Sequence, residues 1–244
     1  MTTHMNKTGS HAARSMHDQL LDEWGMGIVS GNIGVGEHLP EPDVGDTSPS
    51  RTVTREVTRV LEAMGLVVVK RKSGARVNPH DMWNIFDPQI IDWRLRGPQR
   101  AQTLHELSQL RAGVEPLAAR LAATQATAND WAALTQASID MVAYSQQATS
   151  PEYLKADERF HSTLLCSSGN SMFAALRKVI AAILQGRTKH ELMPERANER
   201  ALRLHGDVAA YIRQGDGTAA EEAMRQIVDE SDTAIARMTR QQSS

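Results

Sequence analysis

The chain has 244 residues, enough for one large or two ordinary domains, and with 41% hydrophobic and 23% charged residues it has material for a packed core. A formal charge of −2 excludes a chain-wide nucleic-acid signature, and a single cysteine, Cys166, excludes an intrachain disulfide and fits a reducing compartment. No stretch approaches the roughly 20 apolar residues of a membrane span, so a cytoplasmic protein without membrane partners is expected.

Residues 1–16 lack the apolar core of a signal peptide and are expected as a disordered tail. Leu20, Leu21, Trp24 and Ile28 then recur at helical spacing. The next stretch, "SGNIGVGEHLPEPDVGDTSPS", is full of breakers. After it, Val53, Val57, Val60, Leu61 and Met64 form one helical stripe that Gly65 ends. "LVVVK" and "ARV" read as two short strands joined at "RKSG". Between residues 51 and 76 seven basic residues stand against only Glu56 and Glu62. Arg51, Arg55 and Arg59 step four apart, opposite the valines. An apolar side on the domain and an Arg/Thr side outward is what a major-groove helix needs, and the basic hairpin directly after it completes the back half of a winged helix-turn-helix. That domain is placed at 17–79.

"HDMWNIFDPQIIDWRLRGP", 80–98, reads as a linker whose Trp83, Phe86, Ile90, Ile91 and Trp93 pack on something. From residue 99 onward only helices are predicted, at roughly 101–123, 128–146, 151–167, 171–188, 197–214 and 217–240, with breaks at "QATAND", "ATSPE", "SSGNS", "MPE" and "QGDG". The fold class is therefore mainly α: an N-terminal winged helix-turn-helix and a C-terminal antiparallel helical bundle, 99–244. Cys166, in "TLLCSSG", is expected as a buried, inert thiol.

Four polar residues interrupt apolar stripes of the predicted bundle. Arg111 lies with Leu107, Val114 and Ala118. Asp157 and His161, one turn apart, lie with Leu154, Phe160 and Leu164. His205 lies with Leu202, Val208, Ala209 and Ile212. Ionisable groups buried without partners cost several kcal/mol, so these are expected to meet one another, a metal or a ligand. An Asp with two His suits a divalent transition metal, zinc or similar, and an Arg suits a carboxylate. Together they outline a pocket for a small anion. Satisfied core histidines are the competing reading.

The stretches "SGNIGVGEHLP", "SPSRTVTREVTRVLEAMGLV" and "KSGARVNP" resemble the GntR family of bacterial transcription regulators. "LRAGVEPLAARLAA", "ADERFHSTLL" and "LHGDVAAYIRQGDGTAAEEAM" resemble the all-helical ligand-binding (FCD) domain of its FadR-type subgroup, and "WNIFDPQIIDWRL" is similar to galactonate-type, sugar-acid operon repressors. The resemblance implies homodimers on double-stranded operator DNA. It implies DNA contacts from Arg51, Thr52 and Arg55, a wing tip at Lys72–Gly74 beside Arg71, metal ligation by Asp157, His161 and His205, and Arg111 meeting a carboxylate effector. Two departures stand out. Ile227 occupies the place of a usual fourth ligand, a histidine, which leaves three protein ligands only. "LPEPDVGDTSPSR", with a lone Val44, replaces a longer helix-forming segment.

The expected function is an effector-responsive DNA-binding regulator, a repressor sensing a sugar acid, and not an enzyme. Two alternatives stay open: a helical metal-dependent enzyme, although "ERFH" has no second E-x-x-H to make a di-iron bundle, and a ligand-binding module with a degenerate DNA head.

Overall fold

The computed structural model describes residues 15–42, 48–71, 74–189 and 193–242, without the side chains of 234–242. It divides into two compact units, Met1–Asn84 and Ile85–Ser244. In the first, helix α1 (Met16–Val29) starts at Ser15, whose hydroxyl accepts from the Asp18 N–H, and buries Leu20, Trp24, Ile28 and Val29. Helix α2 (Arg51–Ala63) starts at Ser50 in the same way and packs Val57 and Leu61 against α1. Burial of those two side chains is worth about 1.5–3 kcal/mol each, which fixes the inward face and leaves the arginines outside. Gly65 ends the turn after α2 at φ +75°, and a Cβ there would lie 2.2 Å from the Met82 carbonyl oxygen, so only glycine fits.

Strands β1 (Val67–Lys70) and β2 (Gly74–Val77) pair antiparallel with Val67 opposite Val77 and Lys70 opposite Gly74. Residues 36–39 add a third rung: Gly36 N–H donates to the Val77 carbonyl, and Val77 N–H to that of Glu37. Arg76 donates to the Gly36 carbonyl at 2.8 Å, so this basic residue ties the sheet together. Between α1 and α2 the described residues form no helix, in keeping with Pro40 and Pro42; Val44 lies outside the described residues.

The stretch 80–98 is not a free span. Trp83 belongs to the first unit, its indole N–H donating to the Asn78 carbonyl. In the second unit, α3 (Pro88–Arg96) buries Ile90, Ile91, Trp93 and Leu95 and packs on α4 (Arg100–Gln125) and α8 (Arg177–Lys189). Its apolar residues are helix-core residues, which is why the segment reads as sticky in sequence. Gly186 allows the contact with α8, since a Cβ there would meet Leu95 Cδ1 at 2.3 Å.

The bundle continues with α5 (Ala128–Ala143), α6 (Pro151–Ser167), α7 (Ser171–Ala175), α9 (Glu199–Gln214) and α10 (Gly217–Gln242). The predicted 171–188 helix is divided at Leu176, where the last turn of α7 tightens. Helix α10 packs on α4 and α9, α5 on α6 and α9, and α6 on α4 and α8. Polar caps set the starts: Thr127 with Asp130 as a reciprocal capping box, Ser150 followed by Pro151, and Asn198. Cys166 is exposed, contrary to expectation. It continues the outward row of Lys155, Arg159 and Ser162 on α6, while Phe160, Leu164 and Leu165 face inward.

Candidate functional site

The second unit brings all four stripe-interrupting residues to one cavity. Arg111 comes from α4, Asp157 and His161 from α6 and His205 from α9, and all four are buried. Tyr153, Arg187, Asn198, Ile227, Glu230 and Ser231 complete the polar and apolar walls of about 530 Å³ of space, open mouth included. The segment before α9 is held against the rest by backbone hydrogen bonds from Ala148 to Glu195 and from Ala197 to Ser145, and it supplies Met193, Pro194 and Ala197.

Asp157, His161 and His205 each offer a ligand atom within 4.8 Å of the others. His161 Nε2 lies 3.3 Å and His205 Nε2 3.8 Å from Asp157 Oδ1. His205 Nδ1 lies 2.7 Å from the Ala201 carbonyl oxygen, one turn back, so this nitrogen carries the proton and donates. That leaves the Nε2 lone pair turned inward, buried and without a hydrogen-bond partner. His161 Nδ1 lies 3.2 Å from Glu115 Oε1, although not aligned for a good hydrogen bond. Phe160 seats the pair, its ring edge-on to both imidazoles. The donor set fits a divalent ion: one carboxylate, two imidazoles with outer partners on their far nitrogens, and an orphaned inward lone pair. Ile227 offers no donor.

Glu115, which sequence reasoning missed, is fully buried behind this set. Its carboxylate receives Arg111 Nε at 3.2 Å and Nη2 at 3.0 Å. Arg111 also reaches Ser231 Oγ and His161 Nε2, at 3.4 Å each. Glu115 therefore fills the side-on Nε/Nη2 edge of the guanidinium, while the end-on edge keeps only these two long contacts. Arg187, also missed, is the second buried cation. It has no ion-pair partner among the described residues, and its Nε makes no hydrogen bond.

The electrostatics follow from these placements. Burial works to raise the Glu115 carboxyl, but the Arg111 cation and the His161 ring hold it down at about 2. Asp157 is likewise held below the usual carboxylate range, against its burial, by His161, His205 and Arg187. Burial opposes protonation of His161, yet Glu115 and Asp157 outweigh it and raise its pKa. His205 is pushed down to about 4 by burial and by the charge of His161, so it is neutral near pH 7. Burial and neighbouring Arg111 lower Arg187 to about 10, which still leaves it a cation. Burial raises Glu230, and its Oε2 is buried without a partner.

In the first unit, Arg51, Thr52 and Arg55 are exposed at the N-terminal end of α2, on the face away from Val57 and Leu61. No ion pair holds Arg51, Arg55, Arg59 or Arg71 among the described residues. Arg71 and Gly74 flank the hairpin turn and are exposed; Lys72 lies outside the described residues. No helix is long and apolar enough to cross a membrane among the residues described.

A family model described as the FCD domain matches residues 106–230. The chain is 31% identical to the galactonate operon transcriptional repressor of Escherichia coli (strain K12), over 91% of this chain and 97% of that protein. It is 25% identical to YieP, an uncharacterized HTH-type transcriptional regulator of the same organism, over 91% and 96%. Among solved structures, Lar, described as controlling expression of the Listeria monocytogenes agr system, matches with a TM-score of 0.53 at 16% identity, over 92% of this chain and 98% of that one, a likeness of fold alone.

Proposed function

The chain belongs to the GntR family of transcription regulators, in the FadR-type subgroup with an FCD domain, and from that premise we propose that it binds operator DNA through its first unit and a small hydroxy-carboxylate, a sugar acid, in the cavity of its second. The observation that carries the reading is the cavity itself, where ionisable side chains from five helices converge inside the matched domain. Unsatisfied buried polar groups at one cavity call for a polar ligand. The sugar-acid assignment draws on the relative named for a galactonate operon. The protein acts in the cytoplasm as a homodimeric repressor without catalytic activity, and the acid changes how the paired α2 helices meet successive major grooves.

At the DNA, Arg51, Thr52 and Arg55 read base edges and phosphates, while Arg71, Lys72 and Gly74 form the wing on the backbone. At the metal, Asp157, His161 and His205 hold a zinc-like ion, with Glu115 and the Ala201 carbonyl orienting the two imidazoles. Such an ion would supply Lewis acidity toward a carboxylate or hydroxyl oxygen. Because Ile227 contributes no donor, one coordination position is left for the ligand, and metal and acid then bind cooperatively.

Replacing His161 or His205 by alanine should abolish the acid response while DNA binding persists. Chelator-stripped protein should lose acid affinity and regain it with zinc; undiminished affinity after stripping would leave only the polar pocket. Ile227→His should tighten the metal and weaken the acid. One observation favours a second reading, a ligand-binding module with a degenerate head: the described residues between α1 and α2 contain no helix. Salt-dependent binding to a palindromic duplex selected from random sequence separates the two.

A further inference from the structure

Two guanidinium groups line the cavity, and they differ in what they already hold. Arg111 is gripped side-on by Glu115, and its remaining donors point to Ser231 and His161. An incoming carboxylate could meet that guanidinium only end-on, through Nη1 and Nη2, in place of the long contacts to Ser231 and His161. Arg187 is 8% exposed and has no acid within ion-pair distance among the described residues, and its Nε is buried without an acceptor. A buried, unpaired guanidinium is costly unless something anionic arrives to meet it.

Its position is fixed from behind. Gly186 beside it lets α8 close onto Leu95 of α3, with no room for a Cβ between them. Ile180, Ile183 and Leu184 of the same helix are buried, so α8 has little freedom to turn the guanidinium away. Beyond His205 Nε2, which faces the metal set, one more buried atom at the same cavity lacks a partner, Glu230 Oε2. One cationic fork and one oxygen acceptor match a molecule with a carboxylate at one end and a hydroxyl along it. They match a neutral polyol poorly, because that would leave the cation unmet.

We infer that Arg187 receives the carboxylate of the effector, with Arg111 and Glu115 forming the wall behind it and Glu230 accepting from an effector hydroxyl. This inference rests on the small-acid reading of the cavity and assigns its anionic end.

The test uses full-length protein and thermal unfolding against D-galactonate, D-gluconate, L-lactate and citrate, with galactitol as the neutral counterpart. The wild type should be stabilised by at least one acid and not by galactitol. Arg187→Gln should unfold close to the wild-type temperature, because the cation it removes has no ion-pair partner, and should bind the responding acid at least tenfold more weakly. Arg187→Lys, which keeps the charge but not the fork, should fall between. If Arg187→Gln binds the acid as tightly as the wild type, the assignment is wrong while the small-acid reading stands. If Arg187→Gln and Arg187→Lys both unfold several degrees lower without ligand, Arg187 is structural and the assignment is equally overturned. If no acid stabilises the wild type, it is the underlying small-acid reading that fails.

Discussion

Arg51, Arg55 and Arg59 of α2 stand in solvent, one turn apart, with no ion pair among the described residues, whereas Arg111 and Arg187 of the bundle are 2% and 8% exposed. The first group keeps its hydration until a polyanion replaces it, so its placement needs only a helix with an opposite apolar face. The second group is taken out of water on folding, so each member must be matched within the structure or by a ligand. Glu115 matches Arg111; Arg187 feels only the longer-range pull of Asp157 and Glu115, with no acid within ion-pair distance among the described residues. A solvated cation row suits a large external partner, and a buried unmatched cation suits a small internal one.

The sharpest way to break this contrast is to remove the match. Glu115→Ala leaves Arg111 and the raised His161 buried without their acid, which should destabilise the bundle by about 3–5 kcal/mol in urea unfolding. Replacing the pair together, Arg111→Met with Glu115→Leu, should cost far less than the two single changes added, a coupling that a double-mutant cycle reads directly. Additive effects would mean that the pair is not a unit.

Acid titration sharpens the same point. His205, held down at about 4 against 6.5, contributes stability that is complete above pH 6.5 and is lost as pH falls toward 4, up to about 3 kcal/mol. Glu115, held down at about 2 against 4.5, adds a second loss as pH falls below 4.5. His161, raised above its ordinary value, works the other way: its stabilisation is complete at low pH and is lost as pH rises through its folded pKa. Urea midpoints at pH 7, 5.5 and 4 should therefore fall, and His205→Gln should flatten the upper limb while leaving the lower one. A wild type whose midpoint is level from pH 7 to 4 would contradict a neutral, buried His205.

The exposed row should respond differently. Arg51→Ala should leave stability within about 0.5 kcal/mol. It should weaken binding to a selected duplex by about 1–3 kcal/mol and relax one base preference. Arg71→Ala, the smallest effect expected, should weaken all sequences alike and reduce the salt slope by about one. Unchanged affinity in both variants, at low and moderate salt, would remove the DNA-reading role from this face.

This contrast also explains what was legible in the sequence. Val57 and Leu61 inside and Arg51 and Arg55 outside follow from helical period alone, and so do Asp157, His161 and His205, whose polar side chains interrupt apolar rows. Glu115 escaped because "VEPLAAR" sets it beside a proline, one position past the apolar row of Leu107, Val114 and Ala118 that marked Arg111. Arg187 escaped because a basic residue in "GRTK", near the end of a helix, ordinarily faces water and favours the helix dipole. Burial of Glu115 follows from α6, α9 and α10 packing on α4, and that of Arg187 from α3 and α6 packing on α8, all from distant sequence positions. Cys166 failed in the opposite direction, since apolar neighbours in sequence do not share its face of α6.

The most direct test of the central claim, that an acid in the bundle governs DNA held by the other unit, is fluorescence anisotropy of the full-length protein on a selected palindromic duplex, titrated with D-galactonate and D-gluconate. The wild type should release or loosen the duplex as one acid is added, and His205→Ala should hold the duplex at wild-type affinity without responding. Duplex binding that is indifferent to every acid in the wild type, or an equal response in His205→Ala, would contradict it.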